Sequence, residues 1–111
     1  MNLEELLLNT KSNKVFLIDK NCKVIDSYSK DDTTDKILED RIIAFSGTIS
    51  NMINHFFEDF LKSGLKSVVM KSNKENIVLV KLEELILCFF SDKNINLALL
   101  GVSVQREINK K

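Results

Sequence analysis

Apolar residues recur at helical spacing over residues 38–63, and this stretch dominates the pattern of the chain. Leu38, Ile42, Phe45, Ile49, Met52, Ile53, Phe56 and Phe60 form one stripe, which predicts a long amphipathic helix with that row facing the core. A second row, Ile43, Gly47, Ser50, Asn54, Phe57 and Leu61, repeats every three or four residues down its flank. Small residues in the middle and apolar ones at the ends suit the close approach of another helix. Glycine inside a helix costs roughly 0.5–1 kcal/mol relative to alanine, so Gly47 is expected to have a packing reason. Contact with a partner helix is favoured over broad burial in the same chain, and Gly47→Leu is expected to push two such helices apart. Asn54 either fixes the register of that pair by hydrogen bonding across it or lies solvated at the rim. Thr34 or Asp35 is placed to cap the helix start, and Gly64 to end it in a left-handed conformation.

The remaining elements follow from shorter patterns. Leu3, Leu6 and Leu7 share a helical face behind Asn2, a candidate N-cap. A helix this short needs something to dock on. The apolar run Val15-Phe16-Leu17-Ile18, the polar turn 19–22 and the alternating segment 24–28 read as a β-hairpin. Its first strand is apolar on both faces and so expected to be covered on both; its second suits an edge. Residues 66–71, 76–82 and 85–91, joined by the short connections 72–75 and 83–84, read as an antiparallel meander. The last of these is the most continuously apolar and is expected at the centre. Asp92 or Asn94 is expected to start a closing helix with Ile95, Leu99, Leu100, Val102, Val104 and Ile108 on its apolar face, and Lys110 and Lys111 at its negative end. The predicted class is α+β, a five-stranded antiparallel sheet with helices on both faces in the order α-β-β-α-β-β-β-α.

Composition narrows the function more than the fold. The 111 residues fit one domain, 1–111. Sixteen basic and sixteen acidic side chains cancel, which removes the long-range field that nucleic-acid binders use. No apolar stretch approaches the ~20 residues that span a bilayer, so no membrane insertion is expected. The acidic N-terminus lacks the charge of a secretory signal, and a cytoplasmic location with Cys22 and Cys88 as reduced thiols is the expectation. No cofactor, metal or catalytic set is expected. His55 falls on neither apolar row and has no recognisable acid or nucleophile partner. Asp31, Asp32 and Asp35 lack the spacing of a calcium loop, and Gly47, Gly64 and Gly101 are isolated, so no phosphate loop is present. Arg41 and Arg106 are the only arginines and read as surface charges.

Three pieces of the chain carry a family resemblance. The hairpin over residues 15–25 resembles the opening hairpin, with its Asp-containing turn, of the dynein light-chain roadblock family. Leu65-Lys66-Ser67-Val68-Val69-Met70 with the strand 76–82 is similar to its middle strands. The segment 87–97 resembles the strand-to-helix junction where the family often carries Asn-Leu-Gly; Ala98 stands where that glycine is common. Profilin-like, longin and PAS-like domains share parts of this pattern, but the element order and short connections favour a roadblock-type domain. The resemblance implies a three-layer sandwich that pairs with itself or a related roadblock-type chain. It implies that the strand 66–71, through Ser67, Val69 and Lys71, continues the sheet across two subunits. The helix row Ile43, Gly47, Ser50, Asn54, Phe57 and Leu61 would meet its counterpart beside it. It also implies a non-enzymatic scaffold or regulator of a Ras-like small GTPase. The alternative is a monomeric small-ligand sensor of PAS or profilin-like shape.

Overall fold

The computed structural model describes residues 1–30, 36–92 and 95–109. Its elements are α1 (Leu3–Thr10), β1 (Lys14–Asp19), β2 (Val24–Ser29), α2 (Lys36–Phe56) with a π-helical turn Phe57–Leu61, β3 (Ser67–Lys71), β4 (Asn76–Leu82), β5 (Leu85–Ser91) and α3 (Leu97–Ile108). The strands form one antiparallel sheet in the order β2-β1-β5-β4-β3. The strongly apolar β5 therefore sits in the middle, and β2, exposed along nearly its whole length, and the alternating β3 form the two edges.

Side chains alternate between faces along each strand. Val15, Leu17, Val78, Val80, Leu87 and Phe89 join α1 and α3 in one core. Phe16, Ile18, Leu79, Ile86 and Cys88 join Ile42 and Ile43 of α2 in the other. Leu87, Cys88 and Phe89 have no exposed surface, as expected of a strand covered on both sides. α1 persists at eight residues because it docks against α3, β1 and β2, and because Asn2 accepts a hydrogen bond from Glu5 N at 3.0 Å. In the β1–β2 turn, Asp19 Oδ1 accepts from both Asn21 N and Lys23 N at 2.9 Å, and Cys22 takes the left-handed φ of 65°.

The structure moves two helix boundaries. The left-handed cap after the long helix is Lys62 (φ 54°), not Gly64, and no described glycine has positive φ. The π turn widens the last stretch, and the Lys62 and Ser63 N–H groups both close onto Phe57 O. α3 starts after Asn96, whose side chain accepts from Leu99 N at 3.0 Å; Asp92 instead closes β5, its N–H donating to Asn13 Oδ1 at 2.8 Å. On α3, Leu100 and Val104 are buried and Ile108 packs at the core margin, but Leu99 and Val102 are exposed. The proposed caps Thr34, Asp35 and Asn94 and the terminal Lys110 and Lys111 lie outside the described residues.

Candidate interaction surface

The face of α2 that meets the sheet is its small-residue face. Ile42, Ile43, Ser46, Gly47 and Ser50 are the buried positions of the helix. Ser46 Oγ and Cys88 Sγ share a hydrogen bond at 3.4 Å, which places the helix backbone close over the central strand. A Cβ added at Gly47 would collide with Cys22 Sγ and stand 3.3 Å from Cys22 Cβ. Asn51 Nδ2 donates to Lys20 O at 3.1 Å, so the β1–β2 turn clamps the same flank. At the start of the helix Lys14 Nζ pairs with Glu39 Oε2 at 2.8 Å, both side chains 12% exposed, tying α2 to β1.

This geometry reverses the roles expected of the two rows. Ile43 is 6% and Ser50 1% exposed, and Gly47 is buried; all three are interior to one chain and cannot meet a partner helix. The physical reason is the short distance between helix and sheet, which admits only small side chains between Cys22 and Cys88. Asn54 is also engaged within the chain. Its Oδ1 accepts from Leu65 N and its Nδ2 donates to Glu58 Oε1, both at 3.0 Å, so it fastens the loop into β3. Phe57 is half-buried, while Leu61 stays exposed.

Most of the row assigned to the core is left outside, with Ile49 and Ile53 half-buried. Phe45 is 48% exposed, Met52 63% and Phe60 73%, with Leu38 and Phe56 similarly open; only Ile42 in the row is buried. Phe56 lies tilted against Phe60 at 5.2 Å and meets Phe57 edge-on at 6.1 Å, which gathers the aromatic rings at the helix end. Positions 38, 42, 45, 49, 52 and 56 alternate steps of four and three, the spacing of a coiled-coil seam. Ile42 and Ile49 interrupt the row by packing into the core, and the side chains between and beyond them leave apolar surface exposed along the helix. Sequence reasoning found these residues but faced them inward.

β3 borders the same region. Its Val68 and Met70 side chains reach under α2, and Leu38, Ile42, Met70 and Ile77 line one recess. Lys81 N donates to Lys66 O and Ser72 N to Glu75 O, so the even-numbered residues of this strand bond β4. By alternation the N–H and C=O groups of Ser67, Val69 and Lys71 point away from β4 along the open edge. Those three residues stand where the pairing strand was expected.

The other candidate groups fall elsewhere. Burial pushes the Cys88 thiol up to about 11, leaving it an inert core residue. His55, Arg41 and Arg106 are exposed. Among the described residues there is no group of three or more His, Cys, Asp or Glu side chains able to hold a metal ion, and no helix long and apolar enough to cross a membrane.

No family model matches the chain, and no curated protein sequence matches it. Solved structures do. Gliding protein MglB from Thermus thermophilus superposes with a TM-score of 0.78 at 16% identity, over 94% of this chain and 78% of its own. An MglB described in a tetrameric arrangement gives 0.79 at 15% identity, over 94% and 77%. A Roadblock/LC7 domain from Streptomyces avermitilis gives 0.75 at 13% identity, over 96% and 94%. Correspondence at such low identity is one of architecture, and on that architecture the chain has the roadblock/LC7 fold.

Proposed function

We propose that this chain is a non-enzymatic module that pairs with itself or a related roadblock-type chain, the pair binding or scaffolding a Ras-like small GTPase and acting on its nucleotide cycle. The observation that carries the pairing is the exposed row of Leu38, Phe45, Met52, Phe56 and Phe60 beside the open edge of β3. Strand addition along Ser67, Val69 and Lys71 supplies main-chain hydrogen bonds, and the helix row supplies apolar burial and register. A helix of 21 residues is about 31 Å long at 1.5 Å per residue, enough with one strand for the ~800 Å² per partner of a standard interface.

The GTPase reading rests on the roadblock fold and on the resemblance of the hairpin, middle strands and final junction. Arg41 and Arg106 lie on α2 and α3, on opposite faces of the sheet. An effect on hydrolysis is therefore assigned to repositioning of the GTPase's switch loops rather than to an inserted arginine. A ligand sensor would need space beside the central strand, and Leu87, Cys88 and Phe89 are sealed on both faces. The test is a pull-down of small GTPases from the same source, loaded with GDP or a GTP analogue. Nucleotide-dependent retention by the wild-type chain and its loss in Met52→Glu support the proposal. Retention of no GTPase, or equal retention by Met52→Glu, counts against it.

A further inference from the structure

The sheet face opposite α2 is roofed by α1 and α3, and beside α3 a trough opens toward β3. Its floor is Val69, Val78 and Val80, its wall Leu100, Val104 and Ile108 of α3, and the recess between them holds about 330 Å³. A broad, nearly flat surface continues from it over the outer side of α3, sharing Lys66, Leu97, Gly101 and Gln105. The recess and this surface run together along a helix of 12 residues, about 18 Å at 1.5 Å per residue. Its rim carries Lys66, Lys81 and Arg106, and none of the described lining residues is acidic. Lys81 Nζ donates to Glu83 O at 2.8 Å, which spends one donor and leaves its charge at the rim.

We propose that this trough is a docking site for an acidic amphipathic helix of a partner protein, its apolar side chains seated on Val69 and Leu97 and its carboxylates meeting Lys66, Lys81 and Arg106. A helix suits the shape because it extends the α1–α3 layer by one member. Open space around Gly101 lets its backbone approach the ordinary 8–10 Å between packed helices. Charge selects the partner: an apolar floor with a cationic rim rewards carboxylates beside leucine-like side chains. A bilayer fits worse, since the apolar floor is recessed between β3 and α3 instead of projecting. The site needs only one chain and stands apart from the pairing proposed above. The side chains of Ser67 and Val69 point to this face, so strand pairing at the β3 edge leaves it open.

The probe is a fluorescein-labelled helical peptide of about 18 residues with leucines at helical spacing and glutamates elsewhere, beside a twin with lysine for glutamate. Anisotropy against the full chain at about 50 and 300 mM salt reads binding and its screening. The glutamate peptide is expected to bind at least about tenfold more tightly than its twin, and more weakly at high salt. Lys66→Glu and Arg106→Glu, both at exposed positions, are each expected to cost about tenfold or more, and Leu97→Asp to abolish binding, with unchanged circular dichroism. Equal binding of both peptides, binding of neither, or indifference to Lys66→Glu and Arg106→Glu overturns the proposal. So does cosedimentation with phosphatidylserine vesicles in place of peptide binding, which assigns the trough to a membrane. Loss of self-association in Leu97→Asp likewise overturns it, assigning the trough to a second copy.

Discussion

Gly47→Ala should destabilise the individual chain, because the added methyl meets Cys22 inside the same molecule. Its Cβ collides with Cys22 Sγ and stands 3.3 Å from Cys22 Cβ. Sγ can swing aside about χ1, but Cβ cannot retreat freely: Cys22 sits at φ 65° in a turn held by two hydrogen bonds to Asp19 Oδ1, and its own N–H donates to Asp19 O at 3.0 Å. Overpacking of this kind costs about 1–3 kcal/mol. Alanine returns roughly 0.5–1 kcal/mol in helix propensity, so the net loss is about 1 kcal/mol. At an m value of about 1–3 kcal/mol/M, the urea midpoint falls by about 0.3–1 M with m unchanged. Removing the sulfur reverses the sign. In a Cys22→Ala background, Gly47→Ala should be neutral or stabilising by about 0.5 kcal/mol, giving a coupling energy of about 1 kcal/mol or more. A Gly47→Ala protein as stable as wild type in both backgrounds, yet impaired in self-association, would refute this reasoning and restore Gly47 to a contact between two helices.

Other consequences are simpler to check. Cys88 is buried and its thiol is raised from 9.0 to about 11, so iodoacetamide near neutral pH should alkylate Cys22 first and reach Cys88 only on unfolding. An acid whose pKa is higher folded than unfolded favours the native state below its unfolded value. The Cys88 contribution is therefore intact below about pH 9 and fades as pH rises toward 11, a loss that Cys88→Ala should remove from the urea midpoint measured across that range. Lys62→Gly should stabilise by up to about 1 kcal/mol, because Lys62 holds the left-handed cap. Gly64→Ala should also be tolerated or stabilising by about 0.4–1 kcal/mol, since nothing lies within 4 Å of its added Cβ and its φ is ordinary. Thermal unfolding checks both, and a drop of several degrees for Gly64→Ala would contradict the cap assignment.

Element order and the central position of β5 were legible because apolar runs such as Leu85–Ser91 and the cap at Asn2 are local signals. The orientation of α2 was not. Counting apolar surface ranks Phe45, Met52 and Phe60 as core, but burial is decided by the space left above the sheet. With Ser46 at 3.4 Å from Cys88 and Gly47 against Cys22, that space is too thin for a phenyl ring. The cluster Ser46, Gly47 and Ser50 did announce a close approach; one sequence does not say whether the approaching surface is its own sheet or another molecule. The end of the helix was misplaced for a related reason. Glycine propensity points to Gly64, while the π turn over Phe57–Leu61 brings the left-handed cap forward to Lys62. The edge position of β3 was legible only through the family resemblance, since the alternation of its exposure belongs to the fold and not to the sequence.

Whether the outward row of α2 and the edge of β3 form a pairing surface is tested most directly by light scattering of the purified chain over a range of concentrations, repeated for Met52→Glu. Wild type should give a particle of twice the 12.7 kDa chain mass, and Met52→Glu a folded monomer with unchanged circular dichroism. A wild-type chain that stays monomeric throughout, or a Met52→Glu variant that remains dimeric, would contradict the pairing surface.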